Sequence, residues 1–396
     1  MTTPTRSPRR WAFQPTCDCL ELRELLNSNM GLAVPVSMSS ASILARQSPG
    51  QDQKIQGPII TRLSPTPNAS FSTVPPNGDV NPYGVAFVPR GFSRGGPLQP
   101  GDVLVSNFNN SANQQGTGTT IVRLTPGGQQ SVFFQGPQGL GLTTALGVLK
   151  GGFVIVGNVP ASYDSNGKLI SVGQGSLLIL DRSGRQVASL SDPKLLDGPW
   201  GLTINDRGNQ AQLFVSNVLS GTVTRIDLKV PRHGDHVVVE SMTQIASGYA
   251  HRSDPAALVV GPQGLAYDAK RDLLYVASTA DNAIFAIPHA GRTPVDQGMG
   301  TPVFQDQAHL RGPLDLVLAP NGDLLTTNGD AVNGDPTQPS ELIEFTPTGH
   351  FVGQLSLDPA QGAAFGLALN VTDKTITLAT VNDDTNKLDL RFVSFS

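Results

Sequence analysis

The side chains best suited to chemistry lie in residues 249–255, which read Tyr-Ala-His-Arg-Ser-Asp-Pro. Here His251 has Arg252 and Asp254 as close neighbours in the chain, and such a histidine can transfer protons or bind an anion. Asp315 is a further carboxylate, set between leucines. If the chain is an enzyme, we expect His251, Asp254 and Asp315 to carry its catalysis. The alternative is that His251 is a solvated histidine of a surface loop.

A second set of polar residues recurs where the second apolar run of each sequence repeat ends. Its members are Asn107, Asn158, Asn217, Ser278, Asn328 and Asn382. Asparagine often ends a turn by bonding nearby backbone, which gives a structural interpretation. A ring of neutral amides facing a polar ligand, such as a sugar or a peptide, gives a functional one. Under that interpretation all five asparagines contact the ligand, and the two interpretations are compatible.

Composition excludes several classes of function. The net charge of -4 gives no electrostatic reason to expect a nucleic-acid partner. No apolar run is long enough to span a bilayer. Cys17 and Cys19 have no second pair or nearby histidine to complete a zinc site, so we interpret them as incidental. The sequence also has no nucleophile elbow, phosphate loop or His-Glu-x-x-His motif.

The elements that must position these residues repeat along the chain. Gly-Pro-Trp-Gly-Leu at 198–202 and Gly-Pro-Gln-Gly-Leu at 261–265 each open an apolar run, which is followed by a turn and two further apolar runs. Short β-rich runs that recur at a regular spacing are typical of a radial array of sheets. Six such units begin near residues 82, 144, 199, 262, 313 and 364.

The last unit is one strand short, and residues 59–74 read as a spare hairpin near the start of the chain. Pairing the two ends would close the ring and remove exposed strand edges. We therefore predict an all-β fold, a six-bladed β-propeller of four-stranded antiparallel blades over residues 58–396. Its last blade is composite, with a strand contributed from the N-terminal side.

These repeats resemble NHL-type six-bladed propellers. The resemblance depends on three motifs in succession: Gly-Pro-x-Gly-Leu, then Leu-Tyr-Val-Ala or Leu-Phe-Val-Ser, then Asn-x-Ile or Thr-Val-x-Arg-Ile. The resemblance extends to the wider gluconolactonase-like and strictosidine-synthase-like group, and it covers about residues 59–396. That group includes lactonases, lyases and binding modules, so the resemblance implies a fold and leaves the activity open.

In such a propeller the loops leading into the first strands place one residue per blade at the mouth of the central channel. These residues are Tyr83, Thr144, Trp200, Gln263, Leu314 and Phe365. Lactonases of the group, as the resemblance implies, hold a calcium-like ion there with carboxylates and amides, whereas this ring offers none of the carboxylates. Asp315 lies one position further along, and we expect it to face the other way. We predict no cofactor, with calcium or magnesium as the alternative.

The leading interpretation is a secreted or periplasmic, monomeric propeller that binds a small polar molecule or a protein on its loop-rich face. Tyr83, Trp200 and Phe365 would supply stacking surface, and Gln263 and the asparagines polar contacts. Long insertions at 109–119, 160–175 and 329–340 would build that surface. The competing interpretation is a lactonase- or lyase-type enzyme. Residues 1–57 differ from the rest, and we interpret them as a disordered leader or a degraded or mis-started export signal.

Overall fold

The computed structural model describes residues 57–231, 236–255, 257–329, 334, 337 and 340–394. Within these residues, six four-stranded antiparallel sheets and two short two-stranded sheets account for all of the β-structure in named strands. Each four-stranded sheet is one blade of a β-propeller, as the sequence predicts. The leader assigned to residues 1–57 lies, apart from Gly57, outside the described residues.

The blades follow one another along the chain. Blade 1 holds β2 (Val80–Phe87), β3 (Val103–Asn109), β4 (Thr120–Leu124) and β5 (Gln130–Gln135). Blade 2 holds β6 (Leu142–Leu149), β7 (Phe153–Asn158), β10 (Ser176–Asp181) and β11 (Gln186–Leu190). Blade 3 holds β12 (Pro199–Asp206), β13 (Gln210–Asn217), β14 (Thr222–Lys229) and β15 (Val238–Ser247).

The remaining blades have the same order of strands from the inside outwards. Blade 4 holds β18 (Pro262–Asp268), β19 (Leu273–Ser278), β20 (Ala283–Pro288) and β21 (Thr301–Phe304). Blade 5 holds β22 (Pro313–Leu318), β23 (Leu324–Asn328), β24 (Ser340–Phe345) and β25 (Phe351–Asp358). Blade 6 holds β26 (Ala364–Val371), β27 (Thr375–Asn382), β28 (Lys387–Ser394) and, outermost, β1 (Ala69–Ser72).

Apolar side chains fill the spaces between successive blades. One buried cluster joins each pair of neighbours, from Leu104 and Leu146 between blades 1 and 2 onwards around the ring. The sixth cluster packs Val105 of blade 1 against Val381 of blade 6, which closes the ring. Because both faces of each blade are buried in this way, the strands read as nearly continuous apolar runs.

The composite last blade is confirmed, but the predicted hairpin before it is only half correct. Ala69 pairs with Leu390, so β1 completes blade 6. The preceding segment is not a strand, because Ile60–Arg62 forms a 3-10 turn. The carboxylate of Glu344, which is fully buried, accepts the backbone N–H groups of Ile59 and Ile60 at 3.0 and 2.6 Å, and this satisfies the start of the turn.

Two short hairpins are added to the propeller. One, β8 (Ala161–Tyr163) with β9 (Leu169–Val172), lies inside blade 2 within the predicted insertion at 160–175. The other, β16 (Arg252–Asp254) with β17 (Leu258–Val260), lies between blades 3 and 4, where the sequence indicated only a long loop. The first hairpin lies in the connection between β7 and β10, and the second lies in the connection between β15 and β18. Both connections are on the same side of the propeller, which we call the loop face.

Candidate functional site

Four aromatic rings close the channel at the loop face. Tyr83 stacks on Phe108 and on Phe365, with ring centroids 4.4 and 4.2 Å apart. Trp200 meets Tyr83 and Phe108 edge-on, at 6.1 and 5.3 Å. We call these four residues the aromatic plug. Its rings are in mutual contact in the offset and edge-on arrangements that aromatic pairs favour.

The two added hairpins pack on the aromatic plug. Ala161 and Val172 of the first hairpin and Leu258 and Val259 of the second lie in one apolar cluster with its rings. The first hairpin is also tied to the insertion of blade 1, because the Tyr163 hydroxyl donates to the carbonyl of Gln115 at 2.8 Å. The loop face of the channel is therefore sealed by packed side chains.

This packing corrects the predicted stacking role of the mouth residues. Tyr83 and Trp200 are only 2% and 1% exposed, so neither offers a ring face to a ligand, and Phe365 is half-buried. Gln263 is also buried, and its backbone carbonyl accepts the Ser216 hydroxyl at 2.6 Å. The sequence indicated that these residues converge at the channel. It did not show that they fill it.

Four of the five asparagines at the ends of the second strands bond to backbone groups. The side-chain amides of Asn107, Asn158, Asn217 and Asn328 donate to backbone carbonyls at 2.8 to 3.1 Å. The amide of Asn382 donates to the Asp358 carboxylate at 2.7 Å. These hydrogen bonds agree with the structural interpretation of the asparagines, in which their side chains bond nearby groups of the fold. The Oδ1 atoms of Asn107 and Asn217 have no hydrogen-bond partner among the described residues, but both side chains are fully buried.

Hydroxyl groups link neighbouring blades near the channel, a feature that the sequence analysis did not identify. Ser106 donates to the carbonyl of Thr143, Thr143 to that of Pro199, and Ser216 to that of Gln263. Thr279 and Thr327 continue the series to Pro313 and Phe365. Four of these five donors recur close to the end of a second strand, which is a sequence signal, whereas Thr143 lies at the start of β6. These bonds fix the innermost strands relative to one another.

His251 and Asp254 lie at the second hairpin but do not form a catalytic pair with Asp315. The Nδ1 atom of His251 is 3.1 Å from the carbonyl of Tyr249. Burial raises the pKa of the nearby Asp197, and the charge of His251 acts in the opposite direction. The Asp254 carboxylate accepts the backbone N–H of Ala257 at 3.1 Å and is 3.6 Å from the Arg252 guanidinium. These contacts stabilise the hairpin turn.

Asp315 lies elsewhere, on the central channel. It lines a cavity of about 340 Å³ that is bounded by the innermost strands of all six blades. The expectation that Asp315 faces away from the channel is therefore wrong. Its Oδ2 atom accepts the backbone N–H of Leu367 in blade 6 at 2.8 Å, and Oδ1 accepts the N–H of Leu316 at 2.8 Å. The carboxylate thus bridges blades 5 and 6.

Burial controls the protonation of two acids around blade 6. Burial raises the pKa of Asp315 to about 6, and the N–H bonds from Leu367 and Leu316 act in the opposite direction. Burial, and then the charge of Asp384, raises the pKa of Asp383 to about 7. Asp383 also adds to the effect of burial in raising the pKa of Tyr83 in the aromatic plug. No sequence motif pointed to Asp383.

The described residues do not fit the metal site that the family resemblance implies. No group of three His, Cys, Asp or Glu side chains converges anywhere in the part of the chain that the structure describes. A hard cation needs several oxygen ligands, some of them anionic, whereas the channel mouth is apolar. Asp164, which begins a calcium-loop-like sequence, instead accepts the N–H groups of Asn166 and Lys168 in a turn.

No helix among the described residues is long and apolar enough to cross a membrane.

Comparison with known proteins bears on the fold. No protein family and no curated protein matches the sequence. A similar solved structure is a calcium-binding regucalcin from Agrobacterium tumefaciens, 11% identical over 83% of this chain and 95% of that chain, with a TM-score of 0.48. Another is a gluconolactonase from Xanthomonas campestris, 13% identical over 81% of this chain and 87% of that chain, with a TM-score of 0.45.

A third similar structure is a putative glucose dehydrogenase from a Thermus species, 14% identical over 82% of this chain and 99% of that chain, with a TM-score of 0.46. The gluconolactonase is of the wider propeller group that the repeats resemble. At these identities and TM-scores the likeness carries no conclusion about the function of this chain, because unrelated functions share the propeller architecture.

Proposed function

We propose that this chain is a non-catalytic β-propeller that binds a partner protein on its loop face. The observation that supports this most directly is the sealed channel mouth. The aromatic plug and the two hairpins occupy the place where a propeller hydrolase would admit its substrate. What the loop face offers instead is an outer surface built from inserted segments, and such insertions commonly carry recognition.

The first hairpin supplies the contact surface. Ile170, in β9, is 66% exposed, which makes it the most exposed of the large apolar side chains in the described residues. The hairpin beneath it is held by packing on the plug and by the bond from Tyr163 to Gln115. A rigid, presented apolar side chain suits an interface because little conformational freedom is lost on binding. The same packing buries Tyr83, Phe108 and Trp200, so these three rings offer no face to a small polar ligand.

The enzyme alternative has weaker support. His251 contacts the backbone carbonyl of Tyr249 just before the second hairpin, and Asp254 accepts the backbone N–H of Ala257 within it. Asp315 accepts the backbone N–H groups of Leu316 and Leu367. A lactonase-type reaction would also require a cation at the mouth, where the side chains are apolar. Thermal unfolding with calcium, magnesium or zinc separates the two functions. We expect no metal-dependent rise in the midpoint. A rise of many degrees that Asp315→Ala abolishes would favour the enzyme.

Partner binding can be tested with matched variants. Ile170→Ser alters the loop face, and Val295→Ser alters a side chain of similar exposure, 62%, in the connection between β20 and β21 on the opposite face. Proteins retained by the immobilised chain from its host's extract should be lost with Ile170→Ser and kept with Val295→Ser. Equal retention by both variants, or no retained protein, contradicts binding through the loop face.

A further inference from the structure

The central channel is lined mainly by backbone. In every blade the innermost strand is at the edge of its sheet, so the strands β2, β6, β12, β18, β22 and β26 each have one unpaired side. Because the blades are arranged radially, these unpaired edges surround the cavity of about 340 Å³. Edge strands present rows of free N–H and C=O groups. The channel is therefore rich in hydrogen-bond donors and acceptors.

The channel is blind at one end. The aromatic plug closes it at the loop face, whereas residues at or near the ends of the innermost strands, such as Phe87, Ile204 and Leu318, are half-buried and lie at an accessible rim. Asp315 and Leu318 are three residues apart on β22, which corresponds to about 10 Å of strand. A molecule would enter from the face opposite the loops and reach Asp315 near the closed end.

Asp315 brings the only charged side chain among the described residues that line the channel. No Lys, Arg or His in the described part of the chain forms an ion pair with it. Each carboxylate oxygen accepts one backbone N–H, from Leu316 and from Leu367, and retains capacity for a second donor. A half-buried carboxylate without a counter-ion carries part of the cost of burying a charge, and a cationic ligand would reduce that cost.

We propose that this channel binds a slender primary alkylammonium, with its charged head at Asp315 and its chain directed towards the face opposite the loops. The site is distinct from the proposed partner surface and does not depend on it. An ammonium head carries three donors, which match the carboxylate and the carbonyl groups of the strand edges. Thr203 also lines the channel, and its hydroxyl is a further group that can accept a hydrogen bond.

A primary ammonium fits this site better than a divalent metal does. Calcium takes six to eight oxygen ligands and is favoured by several carboxylates, and the described channel has one. A singly charged head balances the single charge of Asp315. The alkyl chain can pass between aliphatic side chains such as Leu369 and Val148 at the rim. Because the pKa of Asp315 is about 6, affinity should increase as the pH rises through 6.

Calorimetric titration at pH 8 with hexylamine and hexanol tests the proposal on the full chain. Hexylamine should bind, and hexanol, which has the same chain without the charge, should bind at least about tenfold more weakly. Tetramethylammonium, which carries charge but no N–H donor, should fail to bind. Calcium binding in place of hexylamine, or equal binding of hexylamine and hexanol, overturns the proposal.

Two variants and a matched control locate the site. Asp315→Asn should weaken hexylamine binding at least about tenfold. Asp383→Asn replaces another half-buried acid of raised pKa that does not line the channel, and it should leave binding unchanged. If Asp315→Asn does not fold, Thr203→Val removes a channel acceptor and should weaken binding severalfold. Unchanged binding in Asp315→Asn, or in Thr203→Val when it replaces that variant, contradicts the proposal.

Discussion

Tyr83 of the first blade stacks on Phe365 of the last, with ring centroids 4.2 Å apart and ring planes inclined by 22°. The contact joins blade 1 to blade 6, the two blades between which the ring closes. It also brings the backbones together. A Cβ atom on Gly366 would lie 2.0 Å from the carbonyl oxygen of Tyr83.

Gly366→Ala should therefore be strongly destabilising, because the backbone carbonyl of Tyr83 cannot move aside without displacing the stacked rings. We expect a loss of about 3 kcal/mol or more in the free energy of unfolding, measured by urea denaturation. Gly127→Ala is the matched control, since its nearest atom beyond its chain neighbours is 3.9 Å away. If both variants were equally stable, the close approach of the blades would be wrong.

Removal of the largest ring of the plug should cost stability. Trp200→Ala leaves a cavity between Tyr83, Phe108 and the hairpins, and we expect a loss of about 3–5 kcal/mol in the free energy of unfolding. Phe392→Ala, at a ring that is 43% exposed, should cost less than about 1.5 kcal/mol. A small effect of Trp200→Ala would indicate that the indole faces solvent and restore it as a candidate ligand contact.

Stability should depend on pH through Asp315. The ordinary value of an aspartate is 3.8, and in the folded chain the pKa of Asp315 is about 6. The folded state therefore binds this proton more tightly, and its contribution to stability is full below pH 4 and is lost as the pH rises through 6.

Asp315→Asn removes this dependence. We expect the variant to gain about 2 kcal/mol relative to wild type between pH 4 and pH 8, less than the full pKa shift implies because the channel admits water. Asp373→Asn, at a carboxylate whose side chain is 92% exposed, should show no such gain. A wild-type advantage that grows with pH would mean that Asp315 is stabilised as an anion.

The closure of the ring should depend on Arg391. Its fully buried guanidinium donates to the carbonyls of Ser64 and Pro65, both at 3.0 Å, and to the Thr380 hydroxyl at 3.1 Å. Arg391→Leu leaves these acceptors unsatisfied and should cost about 3 kcal/mol, with earlier proteolysis before residue 69. Arg185→Leu, which breaks an exposed ion pair, should cost less than about 1 kcal/mol.

Much of the fold was predictable because its signals are local and repeated. The blade starts expected near 199, 262, 313 and 364 coincide with the starts of β12, β18, β22 and β26. Proline or glycine at many of the turns and apolar runs of strand length mark the blades. The hairpin β16–β17 was missed because its strands have three residues each, too few to give a period.

The candidate site was predictable only as a set of positions. Sequence spacing correctly brings Tyr83, Trp200 and Phe365 to the channel, since each follows the same motif. Whether they face solvent depends on Phe108 and on hairpins contributed from distant parts of the chain. Asp315 is the clearest case, because in the other blades its position holds glycine or alanine, and only the spacing of blades 5 and 6 directs its carboxylate to Leu367.

The sequence by itself determined the number of blades, their order and the closure of the ring by β1, because each follows from local periodicity and from one unpaired strand. The tertiary structure alone decided that the mouth is filled and that Asp315 lies on the channel. Both outcomes depend on contacts between residues far apart in the chain. Such contacts follow from packing in three dimensions, which no local pattern encodes.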